Sequence, residues 1–218
     1  MMRQFMHKRC WLALALLLPT ASLLAQSGPN AAAPDPDALL RRLARPAPAT
    51  TAFVEVHFSP LLSRPLIVSG KLEYDGPDSL ARTVEQPYSE HTEIHGDQVS
   101  VTRGNDKPRT FSLQRAPELK TLLSSFSALL SGNRQQLEQS FALSVSGDDA
   151  HWSMGLTPLD SRLKQRVSRI TVDGQAGSPR CMTTTIPDGS VTVMLMEDAA
   201  RAPVTAGIDL AGLDKLCH

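Results

Sequence analysis

Residues 91–95, "HTEIH", set His91, Glu93 and His95 at every second position. On a strand that spacing puts two imidazoles and a carboxylate on one face, a donor set suited to a divalent metal. The order is not the helical His-Glu-x-x-His of zinc proteases, and an exposed polar strand face explains it more simply. His57 and His151 have no partner that the sequence supplies. There is no Gly-x-Ser-x-Gly elbow and no glycine-rich phosphate loop. Asp75, Asp97, Asp106, Asp148, Asp149 and Asp188 sit among turn residues, where aspartates bond their own backbone. The expectation is a protein that is not an enzyme and takes no metal or cofactor.

The remaining reactive side chains are cysteines, whose meaning depends on the compartment. "MMRQFMHKRC" carries Arg3, Lys8 and Arg9 and no acid, and the apolar run "WLALALLLPTASLLA" follows it. That is the pattern of a signal peptide over residues 1–25, with Ala25 as the small residue before cleavage. The run is short for a span of about 20 apolar residues, and Pro19 breaks it. Cys10 lies at its front edge, away from a lipoprotein cleavage position, so the expected product is soluble and periplasmic. Such a product keeps Cys181 and Cys217. In an oxidising compartment two cysteines suffice for one bridge, here between a strand and the C-terminal tail. No Cys-x-x-Cys pair points to redox work.

The full chain balances 22 basic against 22 acidic residues, and removing three arginines and lysines with the signal leaves a net charge of −3. No basic footprint for nucleic acid is present. Basic residues do gather in "RLKQRVSR", at Arg162, Lys164, Arg166 and Arg169. They fit either a solvated face or contact with anionic head groups or an acidic partner.

These residues need elements to position them. After a Pro/Ala-rich lead-in over residues 26–36, "DALLRRLAR" reads as a short helix with Asp37 as its cap, stopped by Pro46 and Pro48. Six strand signals follow, from "AFVEVHF" to "PRTFSLQ", separated by Gly70, Gly76-Pro77, Pro87, Gly96-Asp97 and Gly104-Asn105. "PELKTLLSSFSALLSG" is then a helix opened by Pro117 and closed by Gly132-Asn133. Leu119, Leu122, Leu123, Phe126, Leu129 and Leu130 share one side of it. A polar helical piece, "RQQLEQS", leads to four or five further strands, with Asp188-Gly189 turning the last pair. "RAPVTAGIDLAGLDKLCH" reads as a weakly structured tail. Residues 37–218 form one domain in this reading.

Short strands joined by tight turns are antiparallel neighbours, and a sheet this long must curl or split. The fold class expected is mainly β with α: an incomplete, unclosed antiparallel β-barrel of about 10–11 strands with helices covering the concave face. The apolar helix then lies over inward residues such as Trp152, Met154 and Leu156, or Met194 and Met196, which alternate along their strands. Such a helix is either core or the lid of a cavity.

In its order of weak signals the chain resembles the LolA family, periplasmic carriers of outer-membrane lipoproteins, and more closely its divergent LolA-like members. The resemblance covers nearly all of residues 37–197. It rests on "GKLEYDGPDSLARTVEQPY", "FSLQRAPELKTLLSSFSALLSG", "FALSVSGDDAHWSMGLTPLDSRLKQRVSRITVDG" and "PDGSVTVMLM". It implies an apolar cavity for acyl chains, pickup of cargo from an inner-membrane exporter and delivery to an outer-membrane acceptor. Carriers of the main family typically have a basic residue just before the proline and an aromatic three positions after it. Here Gly76 and Leu80 hold those places, and the nearby basic residue is Arg82.

The cavity-lining set expected is Leu72, Leu80, the six large apolar residues of the long helix, Trp152, Met154, Leu156, Met194 and Met196. Arg82 joins the four residues of the basic cluster as head-group or partner contacts. An acylated lipoprotein and a free lipid both remain open as cargo, with peripheral membrane contact only. The second function class open is a lipid-binding sensor or accessory module that signals to a membrane partner.

Overall fold

The computed structural model describes residues 33–218; the expected signal peptide and most of the lead-in lie outside the described residues. The first helix, α1 (Pro36–Leu43), starts one turn position earlier than its sequence suggests. Asp35, not Asp37, is the cap: its carboxylate accepts from the Ala38 N–H at 2.9 Å, and Pro36 occupies the first turn, where no amide is needed. Asp37 sits inside that turn and pairs instead with Arg134 at 2.8 Å.

Eleven strands form one antiparallel sheet. The first six are β1 (Ala49–Phe58), β2 (Leu66–Gly76), β3 (Ser79–Gln86), β4 (Glu90–His95), β5 (Gln98–Arg103) and β6 (Arg109–Ser112). A 3-10 turn (Leu113–Arg115), α2 (Pro117–Leu130) and α3 (Arg134–Leu137) come next. The remaining strands are β7 (Phe141–Gly147), β8 (Trp152–Pro158), β9 (Arg169–Gln175), β10 (Ser178–Thr185) and β11 (Val191–Met196), with α4 (Ser161–Lys164) between β8 and β9. The spatial order is β6-β5-β4-β3-β2-β1-β11-β10-β9-β8-β7. The chain thus starts in the middle, winds outward to one edge, crosses to the far edge and winds back. The edges β6 and β7 do not pair, so the barrel is open.

Register identifies the concave face. One row across the sheet runs Val68, Glu55, Met194, Met182, Val172, Met154 and Val145. The sheet curls sharply where β2 shifts register at Ser69/Gly70. There β3 crosses so closely that a Cβ on Gly70 would lie 1.8 Å from the Thr83 carbonyl oxygen, so no other residue fits.

Two layers cover the sheet. On the concave side of β7–β9, α1 and α3 press Leu39, Leu40, Leu43 and Leu137 against Phe141, Trp152, Met154, Leu156 and Ile170. On the convex side the C-terminal segment is ordered, contrary to its reading as a weakly structured tail. It forms α5 (Leu210–Cys217), capped by Asp209, whose carboxylate accepts from the Gly212 N–H at 2.8 Å. Leu213 and Cys217 are buried against Val56, Cys181, Val193 and Leu195. One helical turn of apolar spacing amid Gly, Ala and Thr is a weak signal until a sheet is there to receive it. Cys181 and Cys217 are joined, with 5.4 Å between their Cα atoms.

With a sequence separation of 36 between the cysteines, the chain-entropy account assigns the bridge roughly 3.5 to 4 kcal/mol. The double variant Cys181→Ser/Cys217→Ser is expected to lose stability of that order in urea unfolding; an unchanged midpoint would show that α5 docks by its apolar face alone.

Candidate functional site

The helices that fill the trough over β7–β9 leave the other half hollow. Between α2 and the strands β1–β6 lies a cavity of about 860 Å³. Its ceiling is Leu119, Leu123, Phe126, Leu129 and Leu130 of α2. Its wall includes Leu72, Tyr74, Leu80, Ile94, Val99 and Val101, and it is closed towards the centre by Met182, Met194 and Met196. None of the six large apolar side chains of α2 is fully buried; the buried residues of that helix are Ser125, Ser127 and Ala128. The small side chains let α2 approach its supports; of the large ones, Leu122, Phe126 and Leu129 also pack against the core under α1 and α3, while Leu119, Leu123 and Leu130 face the hollow.

Those supports are mostly polar and peripheral. Ser127 Oγ donates to the Pro77 carbonyl at 2.9 Å, joining the helix to the β2–β3 turn. Lys120 pairs with Asp97 at 2.7 Å, Glu118 with Arg166 at 3.2 Å, and Gln136 of α3 donates to Ser124 at 2.9 Å. At its far end α2 closes with a Schellman turn: the Asn133 N–H reaches the Ala128 carbonyl at 2.8 Å and Gly132 takes φ +69°. A side chain there would also crowd Leu40 and Ala44 of α1. Exposed ion pairs of this kind are weak and screened by salt.

Trp152, Met154 and Leu156, expected in the cavity, are instead sealed in the core under α1 and α3, at 1%, 0% and 2% exposure. Their alternation places them on the concave face, but which part of that face a helix fills depends on distant segments. Leu122 is likewise turned to that core rather than to the cavity. Arg82, expected among the outward contacts, points into the trough and lines the cavity wall. Arg162, Lys164, Arg166 and Arg169 are exposed and do not line the cavity, to which Val172 on the same β9 strand contributes; Arg166 reaches α2 through its pair with Glu118. His91, Glu93 and His95 of "HTEIH" lie on the opposite face from Arg82, while Thr92 and Ile94 between them line the cavity. His91 shares a hydrogen bond with Thr83 at 2.9 Å, and His95 meets Glu93 at 2.9 Å.

A charged band crosses the concave wall, which sequence reading did not foresee. The Arg82 guanidinium lies 4.9 Å from the centre of the Phe53 ring and donates to Glu55 at 3.0 Å. Glu55 also accepts from His57 Nε2, and Thr192 Oγ donates to His57 Nδ1 at 2.9 Å in the tautomer this requires. On the other side Glu90 stands 4.0 Å from Arg82 and accepts from Arg103 at 2.6 Å. Signs alternate along the band, so the largely buried Glu55 carboxylate is compensated where burial alone would be costly. The inward positions Phe53, Glu55 and His57 of "AFVEVHF" held the signal for it.

Residues 28–218 match a family described as "Outer membrane lipoprotein carrier protein LolA-like". The chain belongs to that family. No curated protein sequence matches this LolA-like chain. Solved structures similar to it include a LolA superfamily protein from Nitrosomonas europaea, at 10% identity and a TM-score of 0.40 over 74% of this chain and 90% of that one. Others are a putative outer membrane lipoprotein-sorting protein domain from Vibrio parahaemolyticus (9%, 0.38, 84% and 97%) and LprF from Mycobacterium bovis (13%, 0.37, 81% and 99%). MucB of Pseudomonas aeruginosa, solved with MucA, is 14% identical at a TM-score of 0.34, over 78% of this chain and 62% of that one. Scores this low carry no argument about ligands. Among the described residues no helix is long and apolar enough to cross a membrane.

Truncating Arg82→Ala leaves Glu55 with His57 as its remaining side-chain partner and is expected to cost about 1–3 kcal/mol in urea unfolding; a smaller loss would show that water replaces the guanidinium. The Lys120 ammonium, with help from Gln114, holds the Asp97 carboxyl below its ordinary value. A depressed folded-state value stabilises the protein above the usual carboxylate range, and the contribution is lost as pH falls through the folded value. The stability gap between wild type and Asp97→Asn is therefore expected to be full near neutrality and to close in acid.

Proposed function

We propose that this LolA-like protein is a periplasmic carrier that shields the acyl chains of a lipoprotein or other lipid between an inner-membrane exporter and an outer-membrane acceptor. The observation that supports this reading is the cavity itself: about 860 Å³ with apolar walls and ceiling that the protein's own side chains do not fill. Protein interiors normally pack without such voids, and the volume lies in the range of ligand sites.

The lining chemistry favours alkyl chains. Leucine, valine and methionine dominate, and the methionines adapt to guests of different shape. Each methylene taken from water is worth about 0.8 kcal/mol, so a chain of sixteen carbons carries about 12 kcal/mol of exposure penalty if left bare. A bilayer offers nearly the same shelter at both ends of the journey. The carrier's net preference can then be small although its shielding is large, which is the thermodynamic requirement of a shuttle.

The ceiling suits entry by displacement of α2. Lifting it would give up the packing of Leu122, Phe126, Ala128 and Leu129 on the core, and its other ties are hydrogen bonds and ion pairs. A guest chain replaces the lost apolar contacts. A sensor with a permanently held ligand would use the same cavity without exchange, and the two roles differ in that one respect.

Mass spectrometry of the protein purified from its host's periplasm without detergent, intact and after solvent extraction, is expected to release an acylated species in stoichiometric amount. Loaded protein mixed with acceptor vesicles should then give up that species, whereas a sensor would retain it. Phe126→Glu and Leu123→Glu are expected to abolish lipid uptake with the fold preserved. An apo mass together with no reversible uptake of added lipid would sink the proposal, as would unfolding of both variants.

A further inference from the structure

The strand registers sort the connections of the sheet between its two ends. At one end lie the β1–β2, β3–β4, β5–β6, β8–β9 and β10–β11 connections, residues 59–65, 87–89, 104–108, 159–168 and 186–190. At the other lie the hairpin turns 77–78, 96–97, 148–151 and 176–177.

The two ends differ in charge. The four hairpin turns hold four aspartates and no lysine or arginine, and two of the four are paired from neighbouring helices, Asp149 by Arg42 and Asp97 by Lys120. The five connections at the first end hold Arg64, Lys107, Arg162, Lys164 and Arg166, and Arg103, Arg109 and Arg169 stand at the adjoining strand ends. Of the three aspartates at this end, Asp106 is exposed beside Lys107, and Asp160 and Asp188 face their own turns, accepting from the Arg162 and Leu163 N–H groups and from the Ser190 N–H. Arg64, Lys107, Arg109, Arg162 and Lys164 are exposed and form no ion pair among the described residues. The protein's overall charge is near balance, so this gathering of unpaired cations is local and not a general excess.

Apolar exposure is segregated the same way. Of the seven large hydrophobic side chains exposed among the described residues, five sit at the basic end: Leu61, Leu62, Leu66, Tyr88 and Leu159. Leu61 is 92% exposed, at the tip of a connection framed by Pro60 and Pro65. Single exposed leucines are ordinary, but their gathering at one end, on separate loop tips with cations between, is not. The pattern is that of residues dipping into an interface while Lys and Arg meet anionic head groups, with tyrosine at head-group depth.

We propose that this end of the half-barrel is the surface by which the protein adsorbs to an anionic lipid bilayer. The inference stands on surface residues and does not require that the cavity carries lipid. It gives the basic cluster Arg162–Arg169 a partner, and it would set the trough upright on a membrane with the acidic turns pointing away.

The test is cosedimentation of the mature protein with vesicles of equal parts phosphatidylglycerol and phosphatidylcholine. Binding is expected in low salt, with loss of most of it in high salt and about tenfold weaker association with pure phosphatidylcholine. Arg162→Glu/Lys164→Glu and, separately, Leu61→Ser/Leu62→Ser should each weaken binding by about tenfold with unchanged melting. Phe126→Glu, directed at the cavity, should leave vesicle binding intact, so the two proposals fail separately. Absence of binding to anionic vesicles, or variants that bind like wild type, would overturn the inference. So would binding only to native membranes that protease shaving abolishes, since that outcome assigns the surface to a protein partner.

Discussion

The unpaired edges β6 and β7 stand at opposite margins of the open sheet, yet they are consecutive strands in the chain. Whatever joins them has to cross the mouth of the trough. A helix of 14 residues is about 21 Å long, enough to make most of that crossing as a rigid bar. The position of α2 over the hollow is therefore a topological necessity before it is a packing choice. With the bar in place, one side of it must face the concave strands. Leucine and phenylalanine on that side convert an open trough into an enclosed apolar space.

Filling of the trough is unequal. α1 comes from the N-terminal side and lies with α3 on β7–β9, where bulky side chains meet it and no space is left. Nothing comparable descends on β2–β6. Their inward residues are medium-sized, and the row Thr92, Arg82, Leu72 mixes polarity into the wall. The charge band from Arg103 to His57 is tolerable because each member has a neighbour of opposite sign. It also marks where the apolar lining ends.

Much of this was legible in the sequence. Glycine- and proline-marked turns delimit the strands of the first half, except that Gly70, read as a separator, lies inside β2 at its register shift, and Pro117 and Gly132 bracket α2 as their backbone preferences require. The inward sense of Leu72, Leu80, Met194 and Met196 follows from alternation alone. Alternation does not say what lies opposite a residue, and Trp152, Met154 and Leu156 show the difference: correct face, occupied by helices arriving from distant parts of the chain. Arg82 shows it in reverse, a charge read as outward because burial of its partner Glu55 is a tertiary fact. The cap of α1 moved by two residues because Asp35 and Asp37 flank the same proline. α5 was missed because eight residues with three small ones carry little helical preference until the sheet and Cys181 hold them.

The two ends of the described chain meet the same central strands from opposite sides. α5 is bolted to the back of β1, β10 and β11, and α1 leans directly on the front of β10 as well as on α2. That region resembles a palm gripped front and back. The outer strands β3–β5 have no such grip: Glu85 and His95 on their reverse side are open to solvent. The sheet is thus held from both faces at its centre and by neighbouring strands alone along its outer part, so its anchorage is asymmetric.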